Sequence, residues 1–95
     1  MRRDTRIPLG AAAVKPGEIL AEEFLQPLGL SRRELARRMC VNPMRINEII
    51  RGTRAITAET AIQLGEALGT SARFWLNLQS NHDLAVAAIA LGKAA

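Results

Sequence analysis

The chain has 95 residues, 48% of them hydrophobic; sixteen of those are Ala, and the aromatic residues are only Phe24, Phe74 and Trp75. That length holds one domain, and an Ala- and Leu-rich chain with few aromatics and no long β-branched run favours helices packed on helices. One Cys and one His exclude a disulfide within the chain and a four-ligand zinc site, and the longest apolar run, Leu84 to Leu91, falls far short of the roughly twenty residues of a bilayer span.

The net charge of +4 is unevenly placed. Residues 1–30 and 55–95 are close to neutral, whereas residues 31–54 hold seven Arg and two acids, a net +5. A basic segment of this kind is the footprint of a polyanion partner. Arg suits phosphate and base-edge contacts because its planar fork reaches two acceptors at once. A solvated basic surface would read the same on charge alone.

In chain order, residues 1–15 are expected to form a flexible basic arm. Pro8 and Gly10 break the apolar stretch Ile7 to Val14, so it does not read as a signal peptide and the expected compartment is cytoplasmic. Such an arm either reaches into a minor groove or is a functionless end. The first helix is expected from Pro16-Gly17, with an apolar stripe of Ile19, Leu20, Phe24 and Leu28. Pro27 should bias Gln26 away from helix, and Gly29 should end it. The second helix opens on Ser31-Arg32-Arg33-Glu34, a capping box in which Ser caps a free N–H and the Glu carboxylate reaches back for another. It buries Leu35, Ala36 and Met39 and stops near Met39-Cys40.

The third helix opens on Asn42-Pro43, a strong N-cap followed by a residue that needs no N–H there. It points Ile46, Ile49 and Ile50 inward, leaves Met44, Arg45, Asn47, Glu48 and Arg51 outside, and stops at Gly52. The fourth runs from Thr57 to Gly69 on Ala61, Leu64 and Leu68. The fifth starts near Ser71 and packs Phe74, Trp75 and Leu78, with an interruption at Asn81 before an Ala-rich tail. The expected organisation is therefore an arm over 1–15, a helical domain over 16–80 and a C-terminal helical extension over 81–95.

Ser31 to Gly52 is the informative unit. A short capped helix, a tight turn through Cys40-Val41-Asn42 and a helix with an outward polar face make a helix-turn-helix. The first helix offers Arg32 to phosphates, and the second enters the major groove. Arg45 is suited to guanine, Asn47 to adenine and Met44 to a thymine methyl, while Glu48 either accepts from cytosine or screens Arg51 and Arg45. Arg51 and Arg54 suit phosphates better than bases.

The stretches PGEIL (16–20), EEFLQPLGLS (22–31), ELARRM (34–39), VNPMRINEIIRGTRAIT (41–57), TAIQLGEALGTS (60–71) and FWLNLQSNHDL (74–84) resemble the HigA-type antitoxins, within the Cro/repressor-like helix-turn-helix (XRE) class. The resemblance covers about 69 of the 95 residues. It implies an all-α, compact five-helix bundle of the lambda-repressor-like DNA-binding type, a homodimer on a two-fold-symmetric operator, and a partner toxin of the RelE-like ribonuclease fold. Such an antitoxin neutralises its toxin and represses the shared promoter. Carried onto this chain, the DNA-facing positions fall on Arg32, Asn42, Pro43, Met44, Arg45, Asn47, Glu48, Arg51 and Arg54. Members of the class commonly have Gly where this chain has Cys40, and many have Tyr where it has His82. A small buried Cys and a packed or interface His are expected.

A stand-alone transcriptional regulator without a toxin is the alternative. No catalytic residues, cofactor or metal are expected, since no nucleophile setting, phosphate-cradling Gly loop or ligand cluster is present in the sequence. Trp75, Leu76, Leu78 and the Leu84–Leu91 run are the candidate dimer surface.

Overall fold

The computed structural model describes residues 14–93. What is expected of residues 1–13, which hold most of the basic arm, lies outside the described residues. Five helices build the fold of the described residues. The first, α1, spans 16–28 and changes register twice: α-helical over Pro16–Ile19, π-helical over Leu20–Leu25 and α-helical again over Gln26–Leu28. The others are α2 (Arg32–Met39), α3 (Pro43–Arg51), α4 (Ala58–Leu68) and α5 (Ala72–Ala90).

Local sequence explains the starts. The side chains of Ser31, Asn42, Thr57 and Ser71 each accept a backbone N–H from the first turn of the helix they precede, the arrangement that satisfies one of the orphan donors at a helix start. Gly52 and Gly69 stop α3 and α4 in the left-handed conformation.

Two expectations about α1 are corrected. Pro27 does not push Gln26 out of helix; Gln26 has φ −65° and ψ −52° and the helix continues to Leu28. The π stretch is the physical reason, because it lengthens the ladder just ahead of Pro27, so that the Gln26 N–H reaches back to Ala21 and the ring escapes the preceding turn. The same extra residue rotates the apolar stripe. Leu25 is buried, while Leu28 turns outward.

The core joins Leu20 and Leu25 of α1, Leu35, Ala36 and Met39 of α2, Ile46 and Ile49 of α3, Ala61 and Leu64 of α4, and Trp75 of α5, with Ile56 from the loop between α3 and α4. Trp75 is fully buried and its indole N–H donates to Thr70 Oγ1 at 2.7 Å. Phe24 and Phe74 flank it, with ring centroids 5.1 and 5.0 Å from the indole. Trp75 therefore belongs to the protomer's own core and offers nothing to a second copy.

The expected interruption at Asn81 is absent. α5 passes through it unbroken, since a single Asn in a helix interior costs only a few tenths of a kcal/mol. Among the described residues no helix is long and apolar enough to cross a membrane.

Candidate nucleic-acid interface

The turn between α2 and α3 is built on Cys40, which holds φ 57° and ψ 42°. Val41 N–H closes on the Ala36 carbonyl at 3.0 Å and Cys40 N–H on that of Arg37 at 3.1 Å. These bonds cap α2 and aim the chain into α3. A side chain in the left-handed region costs about 1–2 kcal/mol, so Cys40 occupies a position where Gly would sit without strain. Cys40 is exposed, not buried as expected, because the turn carries its Cβ away from the helix–helix seam.

Ala36 is completely buried where α2 meets α3, and Ile46 and Ile49 fix the pair from the other side. A third support comes from α1. Gly17 lies against the α3 backbone so closely that a Cβ there would stand 2.7 Å from Ile50 Cα. In sequence, Gly17 reads only as part of the start of α1; nothing in its local pattern announces a close approach to another helix.

The outer side of this assembly carries the candidate contacts. Arg32, Met44, Asn47, Ile50 and Arg51 line one open cleft between α2 and α3, so four of the nine expected residues converge there. Ile50 is only half-buried and is an apolar residue of the cleft's lining. Met44 is 62% exposed. Arg32 Nη1 donates to Asn47 Oδ1 at 3.3 Å. Asn42 and Pro43 stand exposed at the start of α3, but the Asn42 side-chain oxygen Oδ1 is engaged as a cap, accepting Met44 N–H at 2.9 Å. Arg45 is half-buried beside them.

Glu48 has a partner that the sequence did not suggest. Its carboxylate lies 3.4 Å from Arg54 Nε, not beside Arg45 or Arg51. The reason is the chain reversal after Gly52: Thr53 and Arg54 N–H groups both return to the Glu48 carbonyl, at 2.9 and 3.3 Å, which folds Arg54 back over the helix end. Among the described residues Arg45 and Arg51 have no carboxylate within ion-pairing distance.

The capping box is also only half made as expected. Ser31 Oγ accepts the Glu34 N–H at 3.0 Å, but the Glu34 carboxylate turns along the helix. It takes two hydrogen bonds from Arg37, at 2.6 and 3.0 Å, and lies 3.6 Å from Arg38 Nε. The Arg37 hydrogen bond holds the Glu34 carboxyl below its ordinary range and raises the Arg37 guanidinium above its own. Two of the seven Arg in the basic window are thus tied to an acid on the same helix and Arg54 is paired with Glu48; of the remaining four, Arg32 and Arg51 line the cleft.

His82 lies on α5, half-buried as expected of a packed residue, and its Nδ1 is enclosed. Among the described residues no group of three or more His, Cys, Asp or Glu is placed to hold a metal ion.

The helix-turn-helix family profile matches residues 22–75, which includes the whole of α2, the turn and α3. Virulence-associated protein I of Dichelobacter nodosus is 52% identical over 79% of this chain and 69% of its own length. Antitoxin HigA-1 of Vibrio cholerae is 40% identical over 88% of this chain and 74% of its own. The Pseudomonas aeruginosa antitoxin HigA, solved with the higBA promoter, superposes with a TM-score of 0.81 at 47% identity, covering 85% of this chain and 88% of that one. The chain belongs to the helix-turn-helix family, in the group of the HigA-type antitoxins.

Proposed function

We propose that the protein is a cytoplasmic, homodimeric, sequence-specific DNA-binding antitoxin that represses its own toxin–antitoxin promoter and neutralises a RelE-like ribonuclease toxin. The observation that carries the DNA-binding half is the cleft between α2 and α3. It joins cations from two helices to an exposed Met and an Asn amide on one face, the mix of groups that contacts phosphates and base edges. The P. aeruginosa relative, solved with promoter DNA, has the same fold. Arg32, Arg51 and Arg54 then serve phosphates; Met44, Arg45 and Asn47 face bases. Asn42 and Pro43 set the first turn of the inserted helix, and Glu48 holds Arg54.

The dimer reading rests on Leu84, Val86, Ile89 and Leu91, which are 53–70% exposed on and just after the last turns of α5. A second copy would cover them, and two-fold pairing would set the α3 helices about 34 Å apart, one turn of duplex. The toxin-neutralising half rests on the likeness to proteins named HigA.

A reporter driven by the DNA upstream of this gene should fall when the chain is supplied and recover with the Arg45→Ala, Asn47→Ala double variant. The product of the adjacent gene should arrest growth alone and not when co-expressed with the chain. A reporter indifferent to the chain would refute repression, and an adjacent product that is harmless or not neutralised would refute the antitoxin role.

A further inference from the structure

Arg32 and Asn47 come from different helices and meet over the cleft. An Arg32 Nη1–H donates to Asn47 Oδ1 at 3.3 Å, across 15 positions of sequence. Arg32 is exposed in the first turn of α2, and Asn47 is half-buried in the middle of α3. This one bond decides which way the amide is turned. A guanidinium has donors only, so it faces the carbonyl oxygen of an Asn and never its nitrogen. The Asn47 NH2 group is thereby directed away from Arg32.

That orientation changes what Asn47 offers to a base. The paired contact of Asn with adenine needs the amide oxygen to accept from adenine N6–H2 while the amide nitrogen donates to N7. Here the oxygen is already engaged by a cation. The positive charge of the guanidinium beside that oxygen disfavours the approach of a second donor. What remains available is a set of donors: two on the Asn47 amide and the unused N–H groups of Arg32. Guanine presents two acceptors, N7 and O6, on its major-groove edge, and its cytosine partner keeps the amino group to one side.

We infer that Arg32 and Asn47 act as one donor unit, in which Arg32 positions the Asn47 amide and turns its base preference from adenine to guanine. This rests on the DNA-reading role proposed above and adds to it the identity of one base and the residue that sets it. Arg32 thus has two tasks. It is exposed in the first turn of α2, where it can serve a phosphate, and it constrains the reading of a base through its neighbour on α3.

The test is selection of binding sites from a random duplex library by the unmodified chain, by Asn47→Ala and by Arg32→Met. The Met side chain keeps an unbranched stem on α2 and removes every donor. Melting curves followed by circular dichroism establish that each variant is folded. The position whose preference disappears in Asn47→Ala is the base that Asn47 meets. The unmodified chain should enrich guanine there. Arg32→Met should move that position toward adenine by about tenfold relative to guanine and leave the preferences at other positions in place. A purely structural role for Arg32 would weaken binding without changing the preferred base.

Adenine at that position with the unmodified chain overturns the inference. So does an Arg32→Met profile that still prefers guanine, or an Asn47→Ala profile with no position changed; in each case the DNA-binding reading stands. If the unmodified chain enriches no sequence at all, the DNA-binding reading itself falls, and this inference with it.

Discussion

Gly17 and Ile50 are in backbone contact: the N-terminal turn of α1 rests directly on the C-terminal half of α3. A Cβ at position 17 would lie 2.7 Å from Ile50 Cα and 2.8 Å from its carbonyl oxygen, with the Ile49 carbonyl oxygen nearer still. Backbone atoms cannot swing aside as the tip of a side chain can. The seating of the candidate recognition helix therefore depends on a residue outside the helix-turn-helix itself. Gly17→Ala should lower stability by about 3 kcal/mol, read as a fall in urea midpoint, and should weaken DNA binding through a displaced α3. An Ala variant as stable as the parent would show that the contact is looser than described.

Cys40 is the one described non-Gly residue with positive φ. Replacing it removes the Cβ clash but frees the unfolded chain, so the two effects partly offset. Cys40→Gly should stabilise the protein by about 1 kcal/mol, seen as a higher melting temperature with DNA affinity preserved. A lower melting temperature would mean that the thiol makes a contact which outweighs the strain.

Gln79 ties the loop after α3 to α5. Its Oε1 accepts the N–H of buried Ile56 at 2.8 Å, and its Nε2 donates to Asp83 at 2.9 Å. Gln79→Ala leaves the Ile56 N–H without that acceptor, a loss of about 2 kcal/mol. Hydrogen exchange at the Ile56 amide should accelerate more than at amides of α2. Unchanged protection at Ile56 would contradict the role.

Glu34 supplies a pH dependence. Its folded carboxyl titrates below the unfolded value of about 4.3, because Arg37 bonds the charged form. The stability it contributes is therefore present above that unfolded value and is lost as pH falls through the lower folded one. Glu34→Gln should be slightly less stable than the parent near neutrality, and the gap should close in acid. The effect is small, since the pair is solvent-exposed. A gap that persists unchanged at acid pH would show that the carboxylate's charge is not its source.

Much of this was legible in the sequence because it is local. Ser31, Asn42, Thr57 and Ser71 announce helix starts by side-chain chemistry, and Gly29, Gly52 and Gly69 announce ends by backbone freedom. The buried faces of α2 and α3 follow from spacing alone. What stayed hidden depends on partners distant in sequence or on a change of register. The π stretch in α1 moves burial from Leu28 to Leu25 and admits Pro27, yet no residue in LAEEFL marks it. The exposure of Cys40 follows from the direction of the turn. The pairing of Glu48 with Arg54 depends on how the chain folds back after Gly52, and the bond from Arg32 to Asn47 depends on how two helices cross. Pattern and resemblance point to the nine candidate contact residues; neither shows which of them hold one another.

On the function proposed above, the face formed by α2 and α3 reads a DNA sequence. Fluorescence anisotropy with the duplex from upstream of this gene, over a salt series and beside a scrambled duplex, tests it most directly. The dissociation constant should be about 10 nM or tighter at physiological salt. Binding to the scrambled duplex should be at least about tenfold weaker, with a comparable loss in the Arg45→Ala, Asn47→Ala variant. Equal, weak binding to both duplexes that vanishes with added salt would contradict it, and would reduce the Arg-rich face to a surface for any polyanion.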